Sequence, residues 1–232
     1  MISEEKIADN SHLMPNDNKL TIPPCSILKY PLCIHFGQDR SWNGKYFKEK
    51  EKKTFQSLFA LVHSDPAKAK DPLKAFAQEF PDAPMVCNLL AFCHIQLKDL
   101  VSAEKVIEEA YLRFPDYLIA KINYADLLLR KKKWEKVPEV FNQTLDLSEL
   151  YPERSSFHFS EVRGFMTAIG RYYHETGKRK QALEAFRIAV QADPTHPSVL
   201  MLEKTLFHNP LLRFLKQMFR KHLKRSLQSP LQ

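Results

Sequence analysis

A self-similarity with a period of 34 residues constrains this chain more than any other feature. Ala110 to Asp116 (AYLRFPD) echoes Ala75 to Asp82 (AFAQEFPD), and Pro115 follows Pro81 by that interval. One unit, Pro84 to Tyr117, carries Leu90-Ala91, His94, Ala103, Ile107, Ala110 and Pro115. A second, Arg163 to His196, carries Ile169-Gly170, Tyr173, Ala182, Phe186, Ala189 and Pro194 at the same internal offsets. Such a period means one supersecondary unit repeated, each unit burying its apolar face on its neighbours. The pattern predicts two helices per unit. In the first helix the small residue (Ala91, Ala125 or Gly170) admits a close partner. In the second, alanines bracket one large residue, a packing stripe at helical spacing. The proline then ends the second helix, and Gly177 in HETGKRK suits a helix C-terminus.

The pattern resembles the tetratricopeptide repeat (TPR), a helix–turn–helix unit of the same length. The match is specific in residues 163–196, good in 84–117 and partial in 118–151. That last unit has Tyr124-Ala125, Leu128 and Phe141, but Val137 and Thr144 replace the alanines and Glu149 takes the proline slot. It is faint in 50–83, where Leu73, Phe80-Pro81 and the spacing of Phe55, Leu58, Phe59 and Val62 remain. The resemblance implies an all-α fold, a right-handed α-solenoid of TPR-like repeats. It also implies a concave groove lined by the first helices, and a role in binding proteins or peptides. The expected organisation is an extended or disordered segment 1–49, a solenoid 50–208 with a covering helix 197–208, and a basic amphipathic tail helix 209–232. The third clear unit starts 11 residues late. Its first helix is therefore expected to extend toward its N-terminus, with Ser155 or Ser156 as N-cap. Residues 21–36 hold Pro23, Pro24 and Pro31 and cannot be one helix. They are expected to run extended over the outer helices of the first unit, or to lie in the protein's own groove.

Composition narrows the function classes. Five glycines in 232 residues, none in a G-x-G, exclude the standard glycine-rich phosphate loop and the dinucleotide fingerprint. There is no G-x-S-x-G and no H-E-x-x-H. The cysteines, Cys25, Cys33, Cys87 and Cys93, lack zinc-ligand spacing. Cys87 and Cys93 are expected as buried thiols and His94 as a packing residue. No catalytic residue, metal or cofactor is expected, and the chain is read as non-enzymatic. The start MISEEKIADN lacks a secretory pattern and no long apolar run is present, so a cytoplasmic location is expected.

Helix geometry places the groove residues. They are Met85, Asn88, Phe92, Ile95 and Gln96 in the first unit. Ile119, Ile122, Asn123, Asp126, Leu129 and Arg130 follow in the second, and Thr167, Arg171, His174 and Glu175 in the third. The surface grades from apolar to charged, which suits a peptide with apolar anchors at one end. Members of the family that clamp the acidic tails of heat-shock chaperones use lysine and arginine at set slots. Phe92, Gly164 and Ala168 stand where those cations belong, so that clamp is not expected. The formal net charge of +8 is concentrated in the tail, where Arg213, Lys216, Arg220, Lys221, Lys224 and Arg225 supply +6 with no acid. Its apolar residues share one helical face. The tail is expected to pack by that face, to meet an anionic membrane surface, or to meet an acidic partner. Six cations without aromatic interleaving suit only weak, salt-sensitive contact with nucleic acid, which is not expected as a partner. Two functions result: a protein- or peptide-binding adaptor or assembly factor, and a secretion-type chaperone for an exported protein. Attachment to a membrane through the tail is a third.

Overall fold

The computed structural model describes residues 19–37 and 46–207. Ten α-helices and three short strands are present among them. Complete helix pairs are formed by α1 (Glu49–Ser64) with α2 (Pro66–Glu79), α3 (Pro84–Gln96) with α4 (Leu100–Arg113), and α8 (Phe159–Glu175) with α9 (Arg179–Ala192). Helix α5 (Leu118–Arg130) has no full-length second helix, and α10 (Pro197–Leu206) packs on the last pair. The chain is a stack of helix–turn–helix repeats. The tail residues Arg213, Lys216, Arg220, Lys221, Lys224 and Arg225, and the expected disorder of the first residues, lie outside the described residues.

The repeat is visible in the backbone. Lys98, Lys132 and Gly177 occupy equivalent positions after α3, α5 and α8, and all three have positive φ, 59°, 57° and 73°. In each, the next amide returns to a carbonyl five residues back: Asp99 N to His94 O, Lys133 N to Leu128 O and Lys178 N to Tyr173 O. This is the paired C-terminal closure that satisfies the last carbonyls of a helix. Second helices start on side-chain caps where one is available: the carboxylates of Asp65 and Asp99 accept from Lys68 N and Ser102 N. They end one residue before a C-cap that precedes Pro81, Pro115 or Pro194, because the residue before proline is driven out of helical conformation.

The small residues hold helices close. A Cβ added at Gly170 would lie 2.8 Å from Leu202 Cδ2 and 3.4 Å from Ala185 Cβ, so α9 and α10 both need that glycine. Ala91, Ala125, Ala103, Ala182 and Ala189 are all buried. Two main cores result. Phe47, Phe55, Phe76 and Phe80 fill the first, between α1, α2 and α3. The second runs through α5, α8, α9 and α10.

The unit 118–151 departs from expectation. Where a second helix should run there is one 3-10 turn (Trp134–Lys136), then α6 (Val137–Val140) and α7 (Leu147–Leu150). Pro138 restarts the helix, and Asn142 and Gln143, both at positive φ, end it. The small-residue stripe is missing here, so a full helix could not nest as closely as α4 or α9. The buried ammonium of Lys121 donates to the Val140 carbonyl at 3.0 Å and closes α6. Desolvation holds its pKa below the ordinary lysine value.

The N-terminal segment fills the vacated space. It forms a hairpin, β1 (Lys19–Ile22) antiparallel to β2 (Leu32–His35), and β2 pairs in parallel with β3 (Phe157–His158). Extended structure over residues 21–36 was expected, but its position was not. Ile22, Ile27, Leu28, Leu32 and Ile34 join the second core, where β2 meets α8, and not the core of the first helix pair. The Lys29 amide donates to Asp146 at 2.7 Å, and Ser148 Oγ donates to the Pro31 carbonyl. Within α8 the segment neighbours Tyr173, which is about 200° around the helix from Arg171. It therefore lies away from the face expected to bind. The α8 N-cap is His158, not Ser155 or Ser156. Its Nδ1 accepts from Ser160 N and its own amide donates to Glu161, which Arg154 also grips at 2.6 and 3.1 Å.

Candidate functional site

One face of the stack is joined by side-chain contacts from α1 to α8. On α1, Phe59 and His63 stand one turn apart with ring centroids 4.5 Å from each other, and His63 reaches Phe92 of α3 at 5.1 Å. From α3, Asn88 Oδ1 accepts from Asn123 Nδ2 of α5 at 2.5 Å. From α5, Asp126 binds Arg171 of α8 through one oxygen and Arg130 through the other, at 3.1 Å. The helices stack side by side with their first helices adjacent, so residues from successive units align along one seam. Its N-terminal end is apolar: Phe59 is 50% exposed and Ile95 37% exposed. Its C-terminal end is polar and charged, with Arg130 and Glu175 exposed and His174 half-buried.

The structure divides the expected groove residues. Asn88, Phe92, Ile95, Gln96, Asn123, Asp126, Arg130, Arg171, His174 and Glu175 retain exposure on this face or its rim. Met85, Ile122, Leu129 and Thr167 are buried and are corrected to packing residues. Met85 belongs to the first core, and Ile122 and Leu129 to the second. The reason is close approach: Gly164 of α8 lets Ile122 Cγ2 come within 3.2 Å of where a Cβ would stand. Thr167 returns its hydroxyl to the Gly164 carbonyl at 3.0 Å. Ile119 is partly buried against the second core.

Phe59 and His63 were not among the expected groove residues, because Phe59 is read from sequence as part of the α1 core stripe. A strict 34-residue register places Leu58 opposite Phe92, yet Leu58 is buried and Phe59 is the residue that faces out. An aromatic and a histidine one turn apart, adjoining a buried 3-4 stripe, was the available signal.

Other chemistry-bearing residues have structural work. His94 is buried and meets Asp99 at 3.1 Å. Asp99 also caps α4, and its bonds from Ser102 and then His94 hold its carboxyl below the usual range. Cys93 is buried and donates to the Pro66 carbonyl, while Cys87 is half-buried and burial raises its pKa. Between α3, α4 and α5 lies a crevice bordered by Cys87, Asn88, Ala91, Ile107, Ala120 and Asn123, with about 10 Å³ of room, enough for one water. No group of three or more metal-ligating side chains occurs among the described residues. No helix there is long and apolar enough to cross a membrane.

Fold and face together define a TPR-like helical repeat stack with a laterally continuous surface across its first helices. No protein-family model matches the chain, and no curated protein does. Among solved structures it is similar to "MamA RS-1 ArsTM double mutant", at 18% identity and TM-score 0.47, over 79% of this chain and 99% of that one. It is likewise similar to "MamA 41-end from Desulfovibrio magneticus RS-1", at 18% identity and TM-score 0.47, over 78% and 99% of the respective chains.

Proposed function

We propose that this protein is a non-catalytic adaptor or assembly factor that holds a segment of another protein along the seam of α1, α3, α5 and α8. The observation that carries this reading is the unbroken run of side chains across four helices, with half-exposed Phe59 and Ile95 at its apolar end. Exposed apolar side chains of this size beside a line of oriented polar groups are the usual composition of a peptide-recognition surface. A cytoplasmic setting accords with four cysteines that are all free.

Selection of a random-peptide phage library on the immobilised full-length chain tests it. Peptides that enrich on the wild type are expected to lose binding to a Phe59→Ser/Ile95→Ser variant. Both residues are surface-exposed, so the variant keeps its fold, checked by circular dichroism. Enriched peptides that bind the variant equally well refute the seam as the binding site.

A further inference from the structure

The polar end of the seam has an unusual arrangement of donors. Arg130 and Arg171 come from different helices and converge on one carboxylate. Arg130 pairs with Asp126 as an ion pair, Nε 3.1 Å from Oδ2, and Arg171 donates from Nη1 to Oδ1. A guanidinium carries five N–H donors in a planar fork that matches a carboxylate through two parallel bonds. Arg171 makes a single hydrogen bond to Asp126 and Arg130 makes none to it, so neither fork is engaged through two parallel bonds. Both side chains are partly exposed, 37% for Arg130 and 22% for Arg171. Glu175, one turn beyond Arg171 on α8, is the second acid of this edge and is exposed to water.

The aromatic shelf of Phe59, His63 and Phe92, with Ile95 one turn on, stands on the neighbouring helices. Packed helices lie about 8–10 Å apart, so the shelf and the two arginines are separated by one to three helix spacings, about 10–30 Å. An extended peptide at about 3.3 Å per residue covers that distance in about three to nine residues.

We infer that the segment held on the seam pairs a large apolar side chain with an internal aspartate or glutamate about three to nine residues away. The apolar group seats on Phe59, Phe92 and Ile95. The carboxylate takes the free edges of Arg130 and Arg171, replacing part of the contact with Asp126. This rests on the seam reading above. The chain's own residues 209–232 are not the occupant, because they carry six cations and no acid to meet those forks.

The probes are three fluorescein-labelled, C-terminally amidated peptides. Each has a Leu-Phe anchor and a Gly-Ser spacer of about four residues. They end in Glu-Asp, Gln-Asn or Lys-Lys. Binding to the full-length chain is read by fluorescence anisotropy. The acidic peptide is expected to bind about tenfold tighter than the amide peptide, a difference set by one charge-assisted contact. Arg130→Gln/Arg171→Gln is expected to abolish that preference and leave the amide peptide unchanged. Asp126→Asn, which removes the competing carboxylate, is expected to tighten the acidic peptide alone, an effect no loss of folding can produce. Equal binding of all three peptides, lost in Phe59→Ser/Ile95→Ser, overturns the acidic preference while the seam reading stands. No binding by any peptide overturns the inference, and with a failed phage selection the seam reading falls as well.

Discussion

The helix pairs α1–α4 and the region around α5 solve one packing problem in two ways. In α1–α4, each first helix is covered by the second helix of its own unit, and partners lie close in sequence. Around α5 the second helix is reduced to a 3-10 turn and α6, and its place is taken by residues 19–37. The contacts that hold this segment join residues far apart, as in Lys29 to Asp146, 117 positions along the chain. The first arrangement is locally specified and cheap in loop-closure entropy, and the second is not. Stability in the second core is therefore expected to hang on a distant strap, while the first core is independent of it.

The largest way to break this comparison is to delete residues 1–37. Five buried aliphatic side chains leave the second core. At about 1.5–3 kcal/mol each, the loss approaches the whole stability of an ordinary domain, about 5–15 kcal/mol. Hydrogen exchange should show α5, α8 and α9 unprotected while α1–α4 keep measurable protection. Equal loss in both regions would show the stack to be one cooperative unit. A smaller cut makes the same point. Leu32→Ala should cost about 2–5 kcal/mol, read as accelerated exchange confined to α5 and α8. Phe76→Ala, in the aromatic core, should do the reverse, loosening α1 to α3.

Titration gives a third contrast. Tyr173 lies beside the strap, and burial pushes its pKa up to about 12. The unfolded tyrosine ionises near 10. Between those values the unfolded state sheds its proton and the folded state retains it, so stability is intact below about pH 10 and falls as pH rises to 12. Allowing for partial solvation, the loss is on the order of 1–2 kcal/mol. Denaturant midpoints measured from pH 9 to 11.5 should decline less steeply for Tyr173→Phe. An identical slope would assign the alkaline loss elsewhere, with Tyr151, also raised to about 12 by burial, the next residue to replace.

What could be read in the sequence follows the same division. Ala103, Ala110, Ala182, Ala189, Gly170 and Gly177 announce helix pairs because their roles are set by neighbours within one repeat. The strap leaves no periodic trace, since its partners lie in another part of the chain, and only Pro23, Pro24 and Pro31 signalled that it was not helical. The failed second helix was half visible: Val137 and Thr144 broke the alanine stripe, but the positive φ of Asn142 and Gln143 was not foreseen. His158 took the cap from Ser155 and Ser156 because its position is fixed by β3 pairing to β2, a tertiary fact. Helical counting put Asn88, Asn123, Asp126 and Arg171 on one face, and side-chain contacts join them in pairs there. It also admitted Ile122 and Leu129, because counting assigns a face but not how closely the adjoining helix approaches it. Gly164 decides that distance.

The smallest effect sharpens the repeat itself. The turns after α3, α5 and α8 each hold a residue at positive φ, and only the one after α8 supplies glycine. Lys98 and Lys132 hold a left-handed conformation that costs an L-residue with a Cβ roughly 1–2 kcal/mol. Glycine removes that cost but gains unfolded-state entropy, which returns about 0.4–1 kcal/mol. Lys132 to glycine and Lys98 to glycine should each stabilise by roughly 0.5–1 kcal/mol, seen as a rise of a few degrees in Tm. The comparison predicts where each gain is felt. Lys98→Gly should slow exchange in α3 and α4, and Lys132→Gly should act on α5 and the strap. A complementary Gly177→Ala, at φ 73°, should destabilise the α8–α9 pair by a similar amount, because the same backbone geometry is being charged to a residue with a Cβ.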